Sequence, residues 1–198
     1  FAFLNFRKLK IQYLKNHQIN RKKWDHCINK SLNGIVYANS WFLDRTCEDW
    51  EALIGDDYHT VMPLTPGRKN KNIIYPPFFT EQLGLFSVSS KVPEWTKLFL
   101  SSIPEQYSKI NIPFTKHEKV EIDSGKIIMR ATVELDLISS YEKTASFFNT
   151  ELHSTLKKYQ QEKYSVSKTL TLNDLLTLTQ NKNEGFINTL RKICSFGL

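Results

Sequence analysis

The sequence predicts an α+β protein, a mixed sheet flanked by helices. Three observations lead there. Helical and strand patterns alternate irregularly, with hairpin-like strand pairs among them, which suits neither a doubly wound parallel sheet nor an all-β sandwich. The 198 residues are 40% hydrophobic and 24% charged, an ordinary globular balance, and a chain of this length can bury roughly 70% of its extended surface. No apolar run approaches the roughly 20 residues of a membrane-spanning helix, and mean hydropathy is -0.39. A disordered polymer and an integral membrane protein both fit poorly.

The elements follow in order. Ile11-Gln12-Tyr13-Leu14 reads as a short strand. Asn20 caps a helix whose inward stripe is Trp24, Cys27, Ile28 and Ser31-Leu32. Asn33-Gly34 is expected to end it as a left-handed cap. Ile35–Ala38 reads as a buried strand, and Trp41–Asp44 leads into a short helix around Glu48–Ile54. Gly55-Asp56-Asp57 is a turn, Tyr58–Leu64 a strand, Pro66–Asn72 a polar hairpin turn and Ile73–Tyr75 its return strand. Pro93 opens a helix with Trp95, Leu98 and Phe99 inward, and Tyr107–Ile112 is a strand. Ile127–Leu137 alternates as a longer strand. A long helix from Tyr141 to about Tyr164, a strand at Tyr164–Lys168 and helices at Asn173–Gln180 and Glu184–Ile193 complete the chain. No internal repeat or low-complexity segment occurs.

The net charge of +7 is not spread over the molecule. Residues 1–30 hold eight basic residues against the single acid Asp25, and the rest balances at 19 of each sign. One face is therefore basic, suited to tRNA or another anionic surface, or simply to solvent. Cys27, Cys47 and Cys194 are too few and too widely spaced for a disulfide framework or a zinc site. They suit a reducing, cytoplasmic setting. No P-loop, GxGxxG, HExxH or GxSxG is present, and the five histidines are scattered. No metal is expected.

Two aromatic clusters stand out: Tyr37, Trp41, Phe42 and Trp50, then Tyr75, Phe78, Phe79 and Phe86. Aromatics beside Pro and Gly can line a groove for an extended substrate, and they serve a core equally well. Gln82-Leu83-Gly84 sets a polar amide beside a glycine in apolar surroundings, and that amide needs a partner if buried.

A longer pattern runs through the first half: Trp24-Asp25, Cys27-Ile28, Ser31, Asn33-Gly34, Val36-Tyr37-Ala38 and Ser40-Trp41-Phe42-Leu43-Asp44. It continues in Trp50–Leu53, Asp57-Tyr58, Val61–Leu64, Tyr75, Pro77-Phe78 and Gln82–Ser87. It resembles uncharacterised bacterial proteins, largely from Bacteroidetes, of the GNAT-like acyltransferase type. The second half, with Leu135-Asp136-Leu137 before a helix, is remotely similar to the Fem-type aminoacyltransferases of peptidoglycan cross-bridges.

The resemblance implies a tandem acyl-CoA N-acyltransferase fold: a GNAT-like half over residues 1–137 and an incomplete second half over 138–198. It implies N-acyl or aminoacyl transfer to an amine, small or on a peptidoglycan precursor. The donor would be acyl-CoA or aminoacyl-tRNA, with no tightly bound cofactor. The expected substrate-groove residues are Tyr37, Trp41, Tyr58, Tyr75, Phe79 and Gln82, with Tyr58 or Tyr75 as an oxyanion donor and no catalytic base singled out. The R/Q-x-x-G-x-G/A loop that cradles pyrophosphate at a helix N-terminus is not found, and Gln82-Leu83-Gly84 is not that loop. Its absence favours the alternative, a non-catalytic GNAT-like binding or assembly module. A third reading is RNA or anionic-surface binding through residues 1–30.

Overall fold

A computed structural model describes residues 9–89, 92–135, 138–161, 171–180 and 183–195. The protein is α+β. Its elements are β1 (Ile11–Leu14), α1 (Arg21–Lys30), α2 (Ser40–Thr46), β2 (Glu51–Gly55), β3 (Thr60–Leu64), β4 (Ile73–Ile74) and β5 (Phe86–Ser87). After these come α3 (Val92–Ser101), β6 (Lys109–Ile110), α4 (Tyr141–Ala145), α5 (Thr150–Gln161), α6 (Leu172–Thr179) and α7 (Glu184–Cys194). Two compact units divide the chain. One comprises residues 1–124 and 172–198; the other, residues 125–171, contains the expected 137/138 boundary.

The first unit is built on a four-stranded sheet in the order β1-β2-β3-β5, antiparallel throughout. The parallel pairing expected of a mixed sheet is confined to a separate two-stranded pair, β4 with β6. Alternation along the strands sends side chains to two cores. Ala52, Ile54, Val61 and Phe86 join Trp24, Cys27, Ile28, Leu43 and Trp50 under α1 and α2. Leu53, Met62, Leu64 and Leu85 join Phe99, Ile103 and Tyr107 under α3. Gly55 fits this second face because a Cβ there would lie 2.9 Å from Phe99 Cζ.

Hydrogen-bonded polar side chains, some buried and some half-exposed, hold the two helices and the sheet together. Asn20 caps α1 by accepting from Lys23 N at 3.1 Å. Trp24 Nε1 donates to Ala38 O at 2.7 Å. Asp25 accepts from the Ser40 amide at 2.7 Å and hydroxyl at 2.6 Å, holding the start of α2. Asp44 Oδ1 accepts from Trp50 Nε1 at 2.7 Å and from Arg21 at 2.8 Å. Asn33, 7% exposed, donates to Leu85 O at 2.8 Å. On the other face Glu51 accepts from Tyr13 and Tyr107 hydroxyls and, at 2.6 Å, from Lys15 Nζ. The Lys15 pKa is raised, first by that hydrogen bond to Glu51, and burial pushes Tyr107 up.

Several elements differ from the sequence reading. Helix α1 ends at Lys30 with an extended Ser31 cap, and Gly34 is not left-handed. Glycine is needed there because a Cβ would lie 2.2 Å from Ile28 O. The expected strand at 35–38 is a 3-10 turn over Val36–Ala38, which presents Ala38 O to Trp24. The expected helix at 48–54 is replaced by α2 before it and by β2, whose five residues are all buried. Central position in the sheet overrides the helical propensity of Ala52 and Leu53. Strand β3 starts at Thr60, because Asp56, Asp57 and Tyr58 all have positive φ (44°, 53° and 71°). That turn is fastened by Lys23 Nζ to Asp57 at 2.7 Å, Lys10 N to Asp56 at 3.2 Å and Asn20 N to Tyr58 OH at 2.8 Å.

Beyond residue 66 the differences continue. Ile73–Ile74 pairs in parallel with β6, and the expected hairpin is kept only as the bridge Pro66↔Ile74 with its flanking bonds, Gly67 N to Ile73 O at 2.7 Å and Tyr75 N to Thr65 O at 3.1 Å. Trp95 is half-buried and Phe99 buried as expected, but Leu98 is exposed. In the second unit, residues 127–135 form no strand, and Ile127, Met129, Val133 and Leu135 are exposed. The expected long helix is two, α4 and α5, separated around Phe147–Asn149. The expected strand at 164–168, and Asp136-Leu137, lie outside the described residues.

Asp44→Ala leaves the fully buried Trp50 indole N–H and the Arg21 guanidinium without their shared acceptor. It should lower unfolding stability by about 1–3 kcal/mol, chiefly through the orphaned indole N–H, read as a reduced urea midpoint at unchanged slope. A loss below about 0.5 kcal/mol would show that the carboxylate holds nothing.

Candidate functional site

Residues 80–87 cross from the aromatic Pro76–Phe79 loop into β5, and there the sheet opens. Phe86 pairs with Val61, and Val88 N donates to His59 O at 3.0 Å. Odd-numbered residues of β3 therefore face β5, since bonded pairs alternate along an antiparallel ladder. Two residues further, the same register sets Pro63 opposite Gly84. Pro63 has no N–H to give, and Gly84 has φ +127°. The ladder stops. The flanking amides turn the other way: Leu83 N donates to Pro113 O at 2.7 Å and Leu85 N to Glu118 Oε1 at 2.9 Å.

This opening leaves polar groups without partners. Gly84 is buried, and its N–H makes no hydrogen bond among the described residues. Thr80 Oγ1 is buried with no partner. Half-buried Gln82, midway between them, makes no side-chain hydrogen bond among the described residues. Native interiors leave few buried groups unpaired; Thr80 Oγ1 and the Gly84 N–H are two such groups, with the half-buried Gln82 amide between them, and this segment is the candidate site.

Glu118 closes one side of the segment. Its Oε2 accepts from the Thr115 amide at 2.8 Å and from the Thr115 hydroxyl, while Oε1 holds Leu85 N. The carboxylate lies over Gly84, where a Cβ would meet Oε1 at 2.3 Å and Phe114 Cδ1 at 2.8 Å. Only glycine admits that approach. Burial pushes the Glu118 pKa up, and hydrogen bonds from Thr115 and Leu85 partly offset it. The sequence reading missed Glu118. The available signal was Thr115-Lys116-His117-Glu118, a T-x-x-E spacing that lets the carboxylate fold back onto the amide three residues earlier.

The six expected groove residues fall into separate groups. Tyr37 and Trp41 both meet the Phe42 ring edge-on, at 5.5 and 5.6 Å. Tyr58 is engaged at the start of α1, its ring 5.9 Å from Lys23 Nζ. Tyr75 is exposed and its backbone is tied to Thr65. Phe79, at φ +65°, packs on Phe186 of α7 at 4.6 Å. Gln82 belongs to the opening itself. Helix α7 is further fixed by Arg68 to Gly185 O at 3.0 Å and by the Lys192–Glu48 ion pair.

Other chemistry is limited. Burial pushes the Cys27 thiol up to about 11 and the Cys47 thiol up to about 12, far from a nucleophile's range. Among the described residues no group of three His, Cys, Asp or Glu could hold a metal ion. An open depression of about 300 Å³ at the C-terminal end of α1 is lined by Ile28, Asn29, Ser31, Gly34, Ile35, Val36 and Asn39, and contains none of the six. No helix is long and apolar enough to cross a membrane among the described residues. No family model, curated protein or solved structure matches the chain.

Because folded Glu118 holds its proton more tightly than the unfolded chain does, its contribution is greatest below the ordinary value of 4.5. It is lost as pH rises through the raised folded value. The stability of the wild type minus that of Glu118→Gln should therefore fall as pH rises above 4.5, and a flat difference would refute the shift. Alkylation at neutral pH should modify half-buried Cys194 first and reach Cys27 and Cys47 only on unfolding, as peptide mapping by mass spectrometry would show.

Proposed function

We propose that the chain transfers an acyl or aminoacyl group to an amine on a GNAT-like sheet. Amine acylation needs the carbonyl held, the developing oxyanion stabilised and a proton removed. The observation that carries this reading is the buried, unpaired Gly84 N–H beside the buried Glu118 carboxyl. An unpaired amide in an apolar surround suits a carbonyl oxygen gaining charge, and a carboxyl with a raised pKa suits an amine proton. Thr80 and Gln82 extend the same surface toward the rest of the donor. Acyl-CoA and aminoacyl-tRNA are the two donor classes, and a small amine or a peptidoglycan-precursor amine the acceptor.

A second reading, a non-catalytic GNAT-like binding or assembly module, is favoured by a different observation. Five polar residues of the resemblance, Trp24, Asp25, Asn33, Ser40 and Asp44, are engaged in bonds that hold the fold.

Thermal shift of the whole chain with acetyl-CoA and with charged tRNA separates the two readings. The transferase reading expects a rise with one donor and transfer of label to an amine. Thr80→Val removes an orphan hydroxyl, so it should keep or slightly raise intrinsic stability while reducing the donor-induced shift. No shift and no transfer with either donor would leave the module reading in place.

A further inference from the structure

The basic side chains of residues 15–30 sort into two sets in the folded protein. Lys15, Arg21 and Lys23 are neutralised by acids from residues 44–57: Lys15 pairs with Glu51 at 2.6 Å, Arg21 with Asp44 at 2.8 Å and Lys23 with Asp57 at 2.7 Å. Lys22 and Lys30 have no acidic partner among the described residues and are exposed. They stand on one face of α1 with His26 and Asn29, within about 100° of arc at 3.6 residues per turn. The opposite face carries Trp24, Cys27 and Ile28 into the core. The acid nearest in sequence, Asp25, is turned toward Ser40.

This stripe runs directly into an apolar tip. Leu32, 87% exposed, stands in the turn after α1, and Val36, 46% exposed, follows. Both border or adjoin the depression lined by Ile28, Ile35 and Val36. Lysines beside exposed aliphatic side chains match the two layers of an anionic bilayer surface: head-group phosphates for the ammonium groups, and the acyl boundary for the leucine. A single-stranded nucleic acid would instead be met by exposed aromatic rings on which bases stack. The exposed apolar side chains here are aliphatic, and the one aromatic of α1, Trp24, is buried.

We propose that the outer face of α1, Lys22, His26 and Lys30 with the Leu32–Val36 tip, docks reversibly on an anionic lipid surface. The attachment is peripheral. It does not depend on the transferase reading, because none of these residues belongs to the opening at Gly84.

The test is co-sedimentation of the whole chain with vesicles of phosphatidylcholine alone and with added phosphatidylglycerol. Binding should require phosphatidylglycerol and weaken with salt. Lys22→Gln and Lys30→Gln should each lower the partition coefficient roughly fivefold. Leu32→Ser should lower it without changing the salt dependence. All three side chains are exposed, so an unchanged melting temperature checks that the fold is intact. Equal binding to both vesicle types, or none to either, overturns the proposal. So does loss of RNA retention in the lysine variants without any vesicle binding, which would assign the stripe to nucleic acid.

Discussion

One carboxylate holds three elements of this protein in register. Asp44, in the short helix α2, accepts from Arg21 at the start of α1 and from the indole of Trp50 just before β2. The Arg21 guanidinium also lies 5.2 Å from the Trp50 ring, and Trp50 meets Trp24 edge-on at 4.7 Å. Two tryptophans thus fill the space between helices and sheet with both indole N–H groups satisfied. Asn33, in the turn after α1, reaches across to Leu85 O and fixes the strand that leads out of the Gly84 opening.

Seen this way, the sequence pattern of the first half has a physical content apart from any relationship. Trp24 needs Ala38 O, Asp25 needs Ser40, and Asp44 needs Arg21 and Trp50. All but Asp44 with Trp50, six residues apart, are pairs split between distant stretches of chain. A buried polar group whose partner is lost retains its full desolvation cost, so such pairs persist or vanish together. The buried groups left without partners, Thr80 Oγ1 and the Gly84 N–H, lie outside this set of ties, and the proposed chemistry belongs to them and to Gln82 between them.

What could be read beforehand was what local physics decides. Asn20 as a cap, the Trp24-Cys27-Ile28 stripe, β1 and α7 follow from spacing and capping alone. The failures lie where distant contacts overrule local preference. Ala38 lies in a 3-10 turn that offers its carbonyl to an indole 14 residues earlier, and Ala52-Leu53 became a strand because two neighbouring strands enclose it. The alternating Ile127–Leu135 run found no pairing partner among the described residues, without which alternation alone makes no sheet. Gln82 and Gly84 were legible as a polar amide and a glycine in apolar company. Glu118 was legible only as a T-x-x-E spacing, because nothing local to it points to a peptide 33 residues earlier.

The β2–β3 connection has a consequence for how the chain reaches this structure. Three successive left-handed non-glycine residues cost on the order of 1–2 kcal/mol each in isolation, so the hairpin is a poor autonomous nucleus. Its fastenings come from Lys10, Asn20 and Lys23, all earlier in the chain. During synthesis the clamp emerges before the loop it must hold. The central hairpin of the sheet is thereby coupled to docking of the first strand and helix through contacts 34 to 46 residues apart, the non-local kind that slows folding.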